Sequence, residues 1–264
     1  MSFIYMNTKD VLVVNSVLKS IALLEALAQQ GDRRLSDLAR DLSMAKSTVH
    51  GILETMEAEG LVERSPEGGS YHLGVRLIEL GNRAQLGLDI CRISAPFLTG
   101  LNAEFDETVH LTVLDHDQVL YVDCVESKKR LRTYSVIGVR APLYCTSVGK
   151  AIMAWLPESE IRRIAAEKGL PKITETTLTS IESLMTELER TRVRGWALDD
   201  CEHEEHLRCV GAPVRNSRGE VFASLSLSGP AERNTLERLE EIAPRLVQAT
   251  SEISRRLGYR AAGA

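Results

Sequence analysis

The sequence predicts an α+β protein of two domains, a small helical one at the N-terminus and a larger one in which strands and helices interleave around one antiparallel sheet. Three observations predict it. Between Leu35 and Glu59 two short amphipathic helical patterns stand a few residues apart, followed by a strand, a glycine-rich turn and a second strand. From Thr108 onward the pattern changes to strand-like alternation broken by helical runs. At 264 residues the chain is long enough for each domain to bury its own core.

Residues 1 to 13 are expected to be loose. Asn15 or Ser16 caps a first helix running to about Gln29, whose apolar positions Val17, Leu18, Ile21, Leu24 and Leu27 pack on the following helices, and Gly31-Asp32 ends it. The first short helix carries Leu35, Leu38, Ala39 and Leu42 with Ser36 as N-cap; the second carries Val49, Ile52, Leu53 and Met56. Ser43, Met44 and Ala45 are too few to let these helices lie parallel, so they cross steeply as a helix-turn-helix. Lys46, Ser47, Thr48 and His50 then face outward near the second helix's start, where short polar donors suit phosphates and base edges. Gly60 is a C′ glycine, and the two strands after it form a wing whose Arg64, Ser70 and His72, together with Ser36, are placed to touch a sugar-phosphate backbone. Residues 11 to 75 are thus read as a winged helix-turn-helix, and 76 to 89, with Leu77, Ile78, Leu80, Ala84 and Leu88 at helical spacing, as a linker helix.

The second domain, residues 90 to 262, opens with a helix to Glu104 and a hairpin of Thr108–Leu114 and Val119–Val125. Arg132 to Ile137 is read as a strand, Val139 to Thr146 as irregular, and Ser147 to Trp155 as a helix. Two charged helices, Glu158–Lys168 and Ser180–Arg192, precede strands at Gly195–Asp199, Cys209–Arg215 and Val221–Ser228, and a long helix runs from about Ala231 to Leu257.

Apolar content of 44% and charged content of 26% are those of an ordinary globular protein. No apolar run approaches the roughly 18 residues that span a bilayer, and Met1 to Val14 lacks a basic start and apolar core, so a cytoplasmic protein with no membrane partner is expected. Cys91, Cys124, Cys145, Cys201 and Cys209 are odd in number and irregular in spacing, which argues against a disulfide framework. Net charge is −5, and residues 1 to 80 hold eight Lys or Arg against eleven Asp or Glu. Binding DNA then requires the basic groups to face phosphates, with Glu54, Glu57 and Glu59 turned away, and more than one copy of the chain.

Seven blocks in order, Lys46–His50, Tyr71–Gly74, Glu107–Leu111, Gly149–Ala151, Gly195–Asp200, Arg208–Pro213 and Ser226–Pro230, make the sequence resemble the IclR (isocitrate lyase regulator) family of bacterial transcription factors over nearly the whole chain. The resemblance implies a winged helix joined to a GAF-like effector-binding domain, acting as a homodimer or dimer of dimers on double-stranded operator DNA. It implies an effector pocket lined by Ala141, Leu143, Cys145, Ser147, Val148, Asp199, Cys209, Ser226 and Ser228. Backbone N–H groups of Ser147 and Val148 would form an anion site at a helix start, and the two alternating serines would hold the rest of a carboxylate. The expected protein is a ligand-responsive repressor of a catabolic operon sensing an organic or sugar acid, with no cofactor. The alternative is a metabolite-binding or hydrolytic enzyme whose winged helix serves only oligomerisation. The chain departs from the family at Gly51, where arginine often follows the histidine, and at Cys145, where histidine or another polar residue is frequent.

Cys201, His203, His206 and Cys209 invite a metal reading, but their spacing fits no standard zinc motif. They are read instead as a polar loop bordering the pocket and, for Cys209, a buried strand residue. Asp199, Asp200, Glu202, Glu204 and Glu205 are read as a solvated acidic run rather than a catalytic pair, and Gly149-Lys150 lacks the rest of a P-loop. Trp155 and Trp196 are expected in the core.

Overall fold

The N-terminal unit follows the apolar spacing of its helices. In a computed structural model, which describes residues 13–66, 68–132 and 137–260, α1 (Asn15–Gln30), β1 (Arg33–Arg34), α2 (Leu35–Asp41), α3 (Lys46–Ala58), β2 (Val62–Arg64), β3 (Ser70–Leu73) and α4 (Arg76–Leu86) follow one another. Leu23, Leu27, Leu38, Val49, Leu53, Met56, Val62 and Tyr71 form the core, and the strands pair in the antiparallel order β1-β3-β2. Ser43, at φ +52°, turns the chain between α2 and α3, with the Met44 N–H donating to the Ala39 carbonyl at 2.9 Å. After α3, Gly60 adopts φ +71° and the Leu61 N–H reaches the Met56 carbonyl at 2.8 Å, a left-handed stop that favours glycine.

Three expectations fail in this unit. α1 starts from Val14 without a side-chain cap, so neither Asn15 nor Ser16 closes it. Ser36 does not cap α2 either, because α2 emerges straight from β1, with Arg34 at the cap position. Val17, Leu18 and Ile21 are about half exposed, at 54, 53 and 46%; the turn that packs on α2 and α3 uses Leu23 and Leu27. α1 carries apolar residues on two sides, and periodicity alone does not say which side is covered.

The chain divides between Gly87 and Leu88. The second unit comprises α5 (Asp89–Phe105), β4 (Thr108–Asp115), β5 (Gln118–Val125), β6 (Arg140–Pro142), α6 (Ser147–Met153), α7 (Glu158–Lys168), α8 (Ile181–Arg194), β7 (Ala197–Asp200), β8 (Leu207–Arg215), β9 (Val221–Pro230) and α9 (Leu236–Arg256). Its antiparallel sheet runs β6-β5-β4-β9-β8-β7. One face, with Val109, Leu111, Val210, Ala212, Leu225 and Leu227, packs on α5 and α9; α6, α7 and α8 contribute Ile152, Met153, Ile161, Leu184 and Leu188 to a second apolar cluster. Among the described residues no helix is long and apolar enough to cross a membrane.

The segment read as irregular contains the edge strand β6, with Pro142 at its end, where a missing N–H costs the ladder little. Gly195 belongs to the end of α8, at φ +80°, rather than to β7. α9 starts later than Ala231: β9 continues through Pro230, a turn follows, and the Thr235 hydroxyl accepts the Arg238 N–H at 3.2 Å. The strand expected at Arg132 to Ile137 lies mostly outside the described residues, as do residues 1–12.

Gly211 and Gly149 set how closely α6 approaches the sheet. A Cβ on Gly211 would stand 2.5 Å from the Ser147 carbonyl oxygen, and one on Gly149 would stand 2.5 Å from Leu143 Cα. Gly211→Ala is therefore expected to lower stability by about 1–3 kcal/mol through overpacking. Gly100→Ala, at a position in α5 with nothing within 4 Å, should raise it by up to about 1 kcal/mol. Urea unfolding of both variants checks the contrast.

Candidate functional site

The outward face of α3 brings Lys46, Ser47 and His50 together as an exposed patch, with Val49, Leu53 and Met56 buried behind it and Thr48 half-buried at its edge. Ser36 is exposed at the start of α2. The wing residues are engaged within their own unit. Arg64 donates to the Tyr71 hydroxyl at 2.8 Å and to Glu57 at 3.3 Å. Ser70 is half-buried and its carbonyl accepts the Ser65 N–H across the turn. His72 lies 3.5 Å from Asp32 and 3.7 Å from Glu63. Glu54 and Glu57 are not turned away as expected: Glu54 stands 3.3 Å from His50 Nδ1, and Glu57 meets Arg64. Gly51, a departure from the family pattern, and Glu54 are both exposed on the same helix face.

In the second unit, strand register assembles a buried polar patch. Successive side chains alternate faces, so Thr108, His110 and Thr112 of β4 stand opposite Ser228, Ser226 and Ser224 of β9, Cys209 of β8 pairs with Ser228, and Asp199 of β7 pairs with Cys209. All eight are buried, on the side of the sheet away from α5 and α9. His110 Nδ1 lies 3.2 Å from the Ser226 hydroxyl and 3.4 Å from that of Ser228, and Thr112 and Ser224 hydroxyls meet at 2.8 Å. The Tyr121 ring stands edge-on to His110 with centroids 5.2 Å apart. Burial pushes the His110 imidazole down to about 4, which keeps it neutral near pH 7.

α6 covers this patch. Ser224 donates to the Val148 carbonyl at 2.9 Å, and Thr146 caps the helix by accepting the Gly149 N–H at 3.0 Å. Ala141, Leu143 and Cys145 in the segment leading into α6, and Ser147 and Val148 at its start, are all buried, and burial pushes the Cys145 thiol up to about 12. The nine effector-site residues named by resemblance thus divide between α6 with its approach and the polar rows of β7, β8 and β9. His110, Thr112 and Ser224 were missed, although the alternation of polar and aliphatic residues along β4 and β9 was visible.

The acidic run is not uniformly solvated. Asp199 and Glu202 are buried, Asp200 bonds Arg208 at 2.7 Å, and only Glu204 and Glu205 are exposed. Lys150, fully buried, forms an ion pair with Glu202, whose second oxygen, Oε2, is buried without a hydrogen-bond partner. Cys201 and His206 sit at φ +58° and +62°, His206 is exposed, and Cys209 is buried on the sheet. Among the described residues no group of three or more His, Cys, Asp or Glu is placed to hold a metal ion. Trp155 is 39% exposed rather than buried, with the Arg215 guanidinium 4.1 Å over its ring, and Arg194 covers half-buried Trp196 at 4.0 Å.

Residues 83–255 match the family profile described as bacterial transcriptional regulator IclR C-terminal, and residues 16–66 match the IclR helix-turn-helix domain. The HTH-type transcriptional regulator KdgR of Escherichia coli (strain K12) is 38% identical over 246 residues, 93% of this chain and 94% of that protein. The transcriptional repressor IclR of the same strain is 32% identical over 244 residues, 91% of this chain and 89% of that protein. The crystal structure of Thermotoga maritima IclR is similar at TM-score 0.77 and 33% identity, covering 93% of this chain and 99% of that one.

Asp199 has a measurable signature. Burial, reinforced by Glu202 and opposed by Lys150, pushes its carboxyl up to about 7, while the Glu202 and His203 N–H groups donate to it at 2.8 and 3.4 Å. Between about pH 4 and pH 7 the folded chain therefore holds a proton here that the unfolded chain releases, so stability is lost as pH rises through that window. Asp199→Asn, which does not ionise, should be the more stable protein at about pH 8, by an amount on the order of a few kcal/mol at most, and should flatten the pH dependence of the urea midpoint.

Proposed function

Because the chain belongs to the IclR family of bacterial transcriptional regulators, we propose that it is a ligand-responsive repressor of a catabolic operon, with a buried effector site in its second unit. The family is one of regulators, which removes the enzymatic alternative.

The observation that carries the effector reading is the polar patch of Asp199, Cys209, Ser226 and Ser228, buried beside the start of α6. A hydrophobic core does not need serines and histidine in facing rows, and burying them without purpose costs stability. A small carboxylate fits the chemistry. The hydroxyls of Ser226 and Ser228 donate to it once freed from His110, the Ser147 and Val148 N–H groups of the first turn of α6 are further donors, and Asp199, when protonated, donates rather than repels. Effector binding exchanges the internal hydrogen bonds of the patch for bonds to the ligand and shifts α6 against the sheet. The shift biases the linker helix and with it the spacing of two α3 helices on a palindromic operator.

The double-stranded operator is bound by a homodimer or dimer of dimers in the cytoplasm. Val14, Val17, Leu18 and Ile21 leave an apolar stripe on α1 half exposed, and Val75 and Ile78 at the linker helix are 70 and 66% exposed; covering such residues is a favourable use of a second copy.

Gel shifts on the DNA upstream of the chain's own gene, titrated with salt and with candidate sugar acids and aromatic acids, test the regulator reading; no sequence-selective shift under any acid would sink it. Ser226→Ala should abolish the effector response and leave operator binding intact. The double change Leu18→Glu and Ile21→Glu should give a smaller species in analytical ultracentrifugation and weaken operator binding by about ten-fold or more, because half of the phosphate contacts are then lost.

A further inference from the structure

The face of α3 that points away from its core is nearly bare. Ser47, Gly51, Glu54 and Ala58 recur at the spacing of one helical line and all four are exposed, while Val49, Leu53 and Met56 are buried on the other side. Glu54 is the one long side chain on that line, 59% exposed, with the Nδ1 of His50 3.3 Å from its Oε2.

Gly51 is not required by the fold. A Cβ built on it meets nothing within 4 Å, its φ is that of an ordinary helix, and glycine inside a helix is unfavourable relative to alanine. Its carbonyl receives an extra hydrogen bond from the Thr55 hydroxyl at 2.8 Å. A glycine that packing does not need, in the middle of an exposed line, lets another backbone or a base edge come close.

The carboxylate beside it is chemically selective. An ionised carboxylate only accepts hydrogen bonds. In the major groove it meets a donor at cytosine N4 or adenine N6, and meets only acceptors at guanine N7 and O6 or thymine O4. On the helix-turn-helix, Asp41 is engaged by Arg33 and Arg40 and Glu57 by Arg64, while Asp32 and Glu63 stand beside His72 of the wing. The neighbour of Glu54 is a histidine, whose Nδ1 stands 3.3 Å from one of its oxygens, and the Glu54 side chain is 59% exposed.

We infer that Glu54 is a specificity-determining residue of the operator contact: held by His50 and admitted to close range by Gly51, it reads an exocyclic amino group in the major groove, cytosine N4 in preference to adenine N6. The inference rests on the reading of α3 as the helix that enters the groove. It places a C·G pair, cytosine on the contacted strand, in each half-site, and it makes the rejection of guanine and thymine by charge repulsion part of the discrimination.

In vitro selection from random duplex DNA with the full-length chain, followed by affinities for all single-base variants of the selected half-site, tests it. The parent should prefer cytosine at one position. Glu54→Ala should reduce the preference there by roughly five-fold or more, the weight of one good base-edge contact, leave other positions unchanged, and bind non-specific DNA more tightly. Glu54→Gln, whose amide suits adenine N6 and N7, should move the preference at that position from cytosine to adenine. Unchanged preference at every position in both variants overturns the inference while leaving the regulator reading standing. Failure of the parent chain to select any sequence overturns the DNA-binding reading itself.

Discussion

The antiparallel register joining β4, β9, β8 and β7 is the constraint on which the second unit depends. Because alternate side chains point to opposite faces, a slip of one residue would send Val109, Leu111, Leu225 and Leu227 into the polar patch and bury His110, Ser226 and Ser228 under α9. Full burial of each aliphatic side chain is worth roughly 1.5–3 kcal/mol, against about 1 kcal/mol net for a hydrogen bond. The face packed on α5 and α9 therefore fixes the register, and the patch on the opposite face is carried into place by contacts it does not make.

That division of labour leaves the polar face free to be a binding surface. Its hydroxyls are satisfied internally, His110 by Ser226 and Ser228, Thr112 by Ser224, and Ser224 also by the Val148 carbonyl. A ligand must replace these bonds one for one, so a molecule with several acceptors is selected over one that merely fills space. The buried Lys150–Glu202 pair adds a tie between α6 and the loop after β7. The hydroxyls of Thr174, Thr176 and Thr177 hold the carbonyls of Cys201 and Glu202 at 2.7–2.8 Å, so the same loop is fastened from a second side. A buried pair of this kind contributes little net stability but is expensive to break by removing one partner, which makes it suited to holding a wall in one position.

The helix-turn-helix, the wing and the positions of most strands were legible because each has a local signature: apolar spacing, turn residues and alternation. The buried face of α1 was not, since Val17, Leu18 and Ile21 form as regular a stripe as Leu23 and Leu27. The proposed effector site was legible only in part. Asp199, Cys209, Ser226 and Ser228 came through resemblance, whereas His110 enters by a pairing across more than a hundred residues that no local pattern encodes. Lys150 and Glu202 are similar: each reads as a surface residue until the fold brings them together in the interior. Glu54 was read as an acid to be turned away, on overall charge, when its place on the helix line was already available from spacing.

On the proposed reading, charge gives the reading head a reason to use both a partner copy and base contacts. Arg33 is bound to Asp41, Arg40 to Asp37 and Asp41, Arg64 to Glu57 and Arg76 to Glu79, so most guanidinium groups of the first unit already face a carboxylate. Turning any of them to a phosphate exchanges one ion pair for another, and the gain from counterion release is correspondingly small. Non-specific affinity of one copy is then low. A protein with little non-specific affinity wastes less of itself on the rest of the genome, but it must recover its strength at the operator, by doubling the number of heads and by directional contacts to base edges. On the proposed reading, the acidic balance of the unit and the polar line on α3 answer to that single requirement.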